Sequence, residues 1–145
     1  MIGLLQRVTE GCVTIDGHLV GEIGQGLVVL VGVQKSDNEA TAERLLDRLL
    51  GYRVFPDETG RMNLSLKTIG GGLLLVPQFT LAADTRKGTR AGFSTAAGPD
   101  LGERLFNHLV THAKSAYHDV ACGEFSADMQ VALVNDGPVT FWLES

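Results

Sequence analysis

Leu27-Val28-Val29-Leu30-Val31-Gly32-Val33 is apolar at odd and even positions alike. A strand alternates its side chains between two faces, so such a run is a central strand covered on both sides. Gly24-Gln25-Gly26 turns the chain into it. Upstream, a strand over roughly Met1–Val8 precedes a hairpin: Gly11–Ile15, a turn at Asp16-Gly17, then His18–Ile23. Asp-Gly between alternating runs is a strong hairpin signal. Downstream, Ser36-Asp37-Asn38-Glu39 has capping-box spacing and predicts a helix to about Tyr52. Leu45, Leu46, Leu49 and Leu50 form its inner stripe, with Glu43, Arg44, Asp47 and Arg48 facing water.

Pro56-Asp57-Glu58-Thr59-Gly60 reads as a turn, and Gly70-Gly71-Gly72 opens another strand. The segment from Ala82 to Ala97 is a long loop rich in small residues. A second helix is expected over about Asp100 to Tyr117, with Leu101, Leu105, Leu109, Val110 and Ala113 facing inward. Three late strands follow, near Val120–Gly123, Asp128–Val134 and Val139–Leu143. The order lacks the regular βαβα alternation of a parallel sheet. The expected class is α+β: a curved, barrel-like antiparallel or mixed sheet with two packed helices. One domain is expected over residues 1–145.

Composition excludes several functions. No apolar run approaches the roughly 20 residues of a membrane span, and no signal peptide is evident at the start. Cys12 and Cys122 are widely separated and read as reduced residues of a cytoplasmic protein. A net charge of −5 argues against broad nucleic-acid binding, DNA included. It leaves room for a local basic patch at Arg86, Lys87 and Arg90, whose alternative is a solvated loop. There is no P-loop and no Gly-x-Gly-x-x-Gly after a strand. His18 and His118 are lone, so a Ser-His-Asp triad has no support. His108 and His112 lie four residues apart on a helix but lack the His-Glu-x-x-His pattern, so neither metal nor cofactor is expected. Phe79, Phe93, Phe125 and Phe141 read as core residues, of which one or two could border a pocket for a nucleobase.

Two segments carry chemistry. Leu73-Leu74-Leu75-Val76-Pro77-Gln78-Phe79-Thr80-Leu81 is an apolar strand that breaks into a polar triplet. Pro77 cannot donate to a ladder, so the strand is expected at an edge or irregular there. Backbone N–H groups after the break, at Gln78, Phe79 and Thr80, are candidates for an oxyanion hole. Asn135-Asp136-Gly137-Pro138 between two strand-like runs is a turn signal. The proline fixes φ, removes an N–H and raises the chance of a cis bond. Such a bond would aim the Gly137 carbonyl as a steric gauge for a small ligand, the alternative being an ordinary surface turn.

Together these segments resemble the D-aminoacyl-tRNA deacylase family, of the D-tyrosyl-tRNA deacylase type found in bacteria and eukaryotes. That family carries Ser-Gln-Phe-Thr-Leu and Asn-x-Gly-Pro-Val-Thr motifs. Here they read Pro77-Gln78-Phe79-Thr80-Leu81 and Asn135-Asp136-Gly137-Pro138-Val139-Thr140. Leu5-Gln6-Arg7-Val8, Lys87-Gly88-Thr89-Arg90 and Gly123–Met129 are similar to three further family segments, in order along the whole chain.

The resemblance implies metal-independent hydrolysis of D-aminoacyl-tRNA, and of glycyl-tRNA mischarged on tRNA-Ala, with the L ester rejected. It assigns charge stabilisation to the N–H groups of Phe79 and Thr80, with Gln78 and the Thr80 side chain shaping the pocket. It gives chiral selection to Gly137 and Pro138, held by Arg7, with Met129 and Phe125 beside the substrate. It puts the tRNA 3′ end near Arg86, Lys87 and Arg90. It implies a homodimer in which one subunit's Gly-Pro motif enters the other's site. Pro77 departs from the family's serine, and Ala82-Ala83 from its usual Tyr-Gly. Pro77 keeps open a rival, a tRNA-end-binding relative with impaired catalysis. A domain in which both motifs are ordinary turns is the other.

Overall fold

A computed structural model describes residues Met1–Ser145. The first strand, β1 (Ile2–Ile15), runs without interruption through what the sequence suggested were two strands. Asp16 and Gly17 both have positive φ, as a type I′ hairpin requires, and lead into β2 (His18–Ile23). β3 (Gly26–Gly32) follows, then α1 (Glu39–Gly51). The cap of α1 is Asn38 rather than Ser36: its side chain accepts the Thr41 N–H, and the Thr41 hydroxyl accepts the Asn38 N–H. Thr41 thus fills the role that the sequence reading gave to an acidic residue at Glu39.

β4 (Arg53–Pro56) and β5 (Met62–Ser65) form a small hairpin around the expected turn, and one helical turn, α2 (Leu66–Ile69), follows. Then come β6 (Gly72–Pro77), a 3₁₀ turn (Phe79–Ala82), α3 (Pro99–Ala116) and β7 (Val120–Cys122). The last strand, β8 (Gln130–Glu144), again merges two expected strands. Asn135–Pro138 therefore does not reverse the chain.

The sheet is mixed. β3, β6 and β7 are parallel, while β1 is antiparallel to β2, β3 and β8. One edge of β1 carries β8 along nearly its whole length; the other carries β3 on its first half and β2 on its second. β2 curls over until Gly21 meets β7, where an added Cβ would lie 3.0 Å from the Cys122 carbonyl oxygen. That approach nearly closes the barrel.

β3 and β6 are apolar on both faces because two cores flank them. Leu27, Val29, Val31, Leu73 and Leu75 join the larger core with α1 and α3. Val28, Leu74 and Val76 join Val8, Val13 and Ile23 inside the barrel. Each fully buried Leu or Val stabilises by about 1.5–3 kcal/mol, so both faces hold these strands rigidly. β6 is thus an interior strand through Leu75, and the expected edge or irregularity is confined to its end at Pro77. The proline is tolerated because it is the last residue of β6, and β7 pairs only with Leu73, Leu74 and Leu75.

Candidate functional site

A cleft of about 770 Å³ lies where β6 ends. Ligands of open parallel sheets gather at such carboxyl ends. Pro77, Gln78 and Phe79 line one side, and the segment Phe125–Met129 another. Lys35, which follows β3, and Ala96–Pro99, which leads into α3, complete the wall.

The 3₁₀ turn explains what the polar triplet offers. The Gln78 N–H is not free, as the sequence had allowed; it donates to the Val31 carbonyl at 2.7 Å and continues the β3–β6 ladder. The first bond of the turn runs from Leu81 N–H to the Gln78 carbonyl at 3.2 Å. The N–H groups of Phe79 and Thr80 precede that bond and open the turn, where donors have no partner within it. The side chains are ordered as well: Gln78 Nε2 donates to Thr80 Oγ1 at 2.6 Å. Phe79 lines the cleft, while Thr80, the next residue, is not part of its wall. Two adjacent backbone donors at such a rim can stabilise a developing oxyanion without a charged side chain.

The opposite wall is set by packing. The Phe125 ring lies against α3 at Gly102, where a Cβ would come within 3.0 Å of Cζ. Ser126 has a φ of +63°, a conformation uncommon outside glycine, in the wall of the cleft. Met129 Sδ closes over Gly123, where a Cβ would come within 2.6 Å of it.

Arg7, Gly137 and Pro138 form a separate site. Gln6 pairs with Thr140 and Val8 with Asn135, so residues 136–139 bulge out of the β1–β8 ladder opposite Arg7. The Gly137–Pro138 peptide is cis. Arg7 clamps the bulge: Nε donates to the Asp136 carbonyl at 3.2 Å and faces its carboxylate at 3.1 Å, while Nη1 donates to the Val54 carbonyl at 2.6 Å. Asn135 Nδ2 closes its base, donating to the carbonyls of Arg7 at 2.9 Å and Val139 at 3.1 Å. Gly137 has a φ of +123°, and a Cβ there would meet Val139 Cγ2 at 2.8 Å and Arg7 Nη2 at 2.9 Å. None of these residues lines the cleft of the same chain. The extended chain from Val131 at the cleft to Gly137 covers roughly 20 Å.

The three expected basic residues line a third depression, of about 450 Å³, with Asp84, Gly92 and Ser94. Arg86 is committed to Asp84, with bonds of 2.9 and 2.7 Å between side chains and 3.1 Å from its backbone N–H. These hydrogen bonds hold the Asp84 carboxyl well below the usual carboxylate range. Lys87 and Arg90 carry no ion pair. His108, one of the helical pair, bridges α3 to α1 by facing Glu43 Oε1 at 3.1 Å.

Sequence reasoning missed Lys35 and the 96–99 wall, which no local pattern marks. Of the four phenylalanines read as core residues, Phe79 and Phe93 are instead 57% and 44% exposed and line the cleft, the alternative that the sequence had left for one or two of them. The sheet-end position of Phe79 was the available signal, since Pro77 had already ended the strand.

The family described as D-Tyr-tRNA(Tyr) deacylase matches residues 4–144. A D-aminoacyl-tRNA deacylase of Alkalilimnicola ehrlichii is 63% identical, over 100% of this chain and 97% of that protein. One from Thioalkalivibrio sulfidiphilus is 66% identical, over 99% and 97%. Among solved structures, a c-Myc DNA unwinding element binding protein superposes with a TM-score of 0.95 at 35% identity, covering 100% of this chain and 99% of that one. A probable eukaryotic D-amino acid tRNA deacylase shares the fold at a TM-score of 0.87 and 16% identity, covering 99% and 98%. No helix is long and apolar enough to cross a membrane. With a family match over almost its entire length and full-length relatives above 60% identity, the chain belongs to the D-aminoacyl-tRNA deacylases, hydrolases of the D-Tyr-tRNA(Tyr) deacylase family.

Proposed function

We propose that the protein hydrolyses the ester joining a D-amino acid to the 3′-terminal adenosine of tRNA, accepts glycyl-tRNA mischarged on tRNA-Ala, and spares L-aminoacyl-tRNA. The observation that carries this is the pair of N–H groups, Phe79 and Thr80, opening the 3₁₀ turn that leaves the cleft wall at Phe79. An aminoacyl ester is already reactive, so holding its carbonyl against two fixed donors supplies what the reaction lacks. Gln78 and Thr80 brace one another beside that point. Pro77 contributes no hydroxyl, and this scheme asks for none.

Enantiomers carry the same groups, so discrimination rests on excluding the wrong one. The Gly137–Pro138 bulge is a backbone gauge held by Arg7, and it lies outside its own chain's cleft. It serves the cleft of a second copy, which makes the working unit a homodimer. β8 supports this: it pairs only with β1, so its other edge is open, and Val134 and Trp142 on its outer face are 50% and 51% exposed. An apolar, unpaired edge of this length invites a partner. Lys87 and Arg90 hold phosphates of the tRNA 3′ end.

The test is deacylation of D-Tyr-tRNA, L-Tyr-tRNA and Gly-tRNA by the purified protein without added metal. Loss of the D and glycyl esters with the L ester intact is expected. Hydrolysis of none, with tRNA binding kept, would replace this reading with a tRNA-end-binding protein disabled at Pro77.

A further inference from the structure

Phe79 and Phe93 are the two exposed aromatic residues at the mouth of the cleft. Their rings stand 5.2 Å apart, tilted by 41°, and both line the cleft wall. Phe93 belongs to the loop that carries Lys87 and Arg90, and its neighbour Ser94 lines the basic depression instead. The dipeptide Phe93-Ser94 is therefore the ridge between the two hollows, with one residue facing each.

The charges say what crosses that ridge. The cleft of about 770 Å³ has room for an aminoacylated nucleoside, and Lys35 is the one cation in its wall. Lys87 and Arg90 line the neighbouring depression, so the tRNA backbone leaving the cleft is drawn toward them. A strand leading from the cleft toward the unpaired charges of Lys87 and Arg90 passes over Phe93. Every nucleobase has an apolar face that stacks on an aromatic ring, whatever its sequence. We propose that Phe93, backed by Phe79, is a stacking platform for the nucleobase immediately upstream of the esterified terminal nucleotide. This rests on the reading of the cleft as an ester site, and the test below separates the two.

The experiment compares D-Tyr-tRNA with the D-tyrosyl ester of adenosine alone, which has no upstream base, for the full chain and its Phe93 variants. Phe93→Ala is expected to raise KM for the tRNA ester roughly tenfold with little change in kcat, a stacking loss of ordinary size. The nucleoside ester should lose about tenfold less. Phe93→Trp should keep the tRNA ester near wild type, and Phe93→Leu should not. Equal losses on both esters, full activity of Phe93→Leu, or a change of oligomeric state in Phe93→Ala would each overturn the platform. If the wild type hydrolyses neither ester, the ester reading fails and binding decides the platform. Uncharged tRNA held about tenfold less tightly by Phe93→Ala, and normally by Phe93→Trp, sustains it; unchanged affinity sinks it.

Discussion

The cleft and the Gly137–Pro138 bulge achieve rigidity by opposite means. The cleft hangs on β6, an interior strand whose Leu73, Leu74, Leu75 and Val76 are buried on both faces. Its donors are backbone groups set by the strand's end, and no charged side chain holds them. The bulge lies on β8, whose outer edge has no strand partner, and Gly137 and Pro138 are exposed. Side chains hold it instead, chiefly Arg7 and Asn135. The cleft should therefore resist side-chain substitution and yield to loss of an N–H. The bulge should do the reverse.

Phe79→Pro attacks the cleft at that point and should have the largest effect. Phe79 is the first residue of the 3₁₀ turn, where proline is favoured, and Gln78, with φ of −142° and ψ of 82°, already lies outside the α region that a following proline disfavours. The substitution removes one N–H at little backbone cost. Loss of one oxyanion donor lowers kcat by about 10²–10³-fold. Phe79→Ala, which keeps the N–H and loses the ring, should leave kcat within an order of magnitude. Steady-state kinetics on D-Tyr-tRNA distinguish them, and equal kcat values for the two would remove backbone donors from the mechanism.

Arg7→Ala attacks the bulge and comes next. The Arg7 side chain is only 11% exposed, so its removal leaves the Val54 and Asp136 carbonyls short of a donor. A cost of about 2–3 kcal/mol is expected from these bonds. The carboxylate of Asp136 is 42% exposed and adds little to it. Chemical denaturation measures the loss. The comparison sharpens with Arg7→Lys, which keeps the charge but not the two-armed grip. Mixed with Phe79→Pro under subunit exchange, it should recover about a quarter of wild-type activity, because half of the mixed pairs' sites join a sound cleft to a sound bulge. No recovery would mean that each chain uses its own bulge.

The same contrast explains what the sequence made legible. The double-faced strand β3, the apolar run of β6, both long helices and the Asp16-Gly17 hairpin were readable because each rests on a local pattern of apolar residues or turn chemistry. The merging of β1 and of β8 into long strands was not. Residues 136–139 carry the signals of a reversal, and only their partner strand turns them into a bulge. The cleft's near side was legible from Pro77-Gln78-Phe79-Thr80, since proline cannot donate to a ladder and marks where the strand breaks. Its far side was not, because Lys35 and Phe93 reach it through loops that only tertiary pairing brings together. The backbone bonds Lys35 N–H to Thr95 and Ala97 N–H to Val33 make that juncture.

The smallest effect probes the footing of the bulge. Arg7 ties it to Val54 in β4, and the β4–β5 hairpin is closed by Asp57, which accepts from Thr59 Oγ1 at 2.7 Å and Asn63 Nδ2 at 2.7 Å. These bonds, with those from backbone N–H groups, lower its pKa from 3.8 to about 2. A carboxylate with a depressed folded pKa adds stability above its unfolded pKa and loses it as pH falls through the folded one. Asp57 thus contributes fully above about pH 4, and its share fades toward pH 2. Thermal melts of wild type and Asp57→Asn should differ slightly at pH 5 and converge near pH 2. The cleft has no such titrating prop in its wall next to the donors, so cleft variants such as Phe79→Ala should keep a constant offset from wild type across that range. A gap between wild type and Asp57→Asn that widens with acid would mean the hairpin is held by something other than this carboxylate, and would cut the link from Asp57 through Val54 to the bulge.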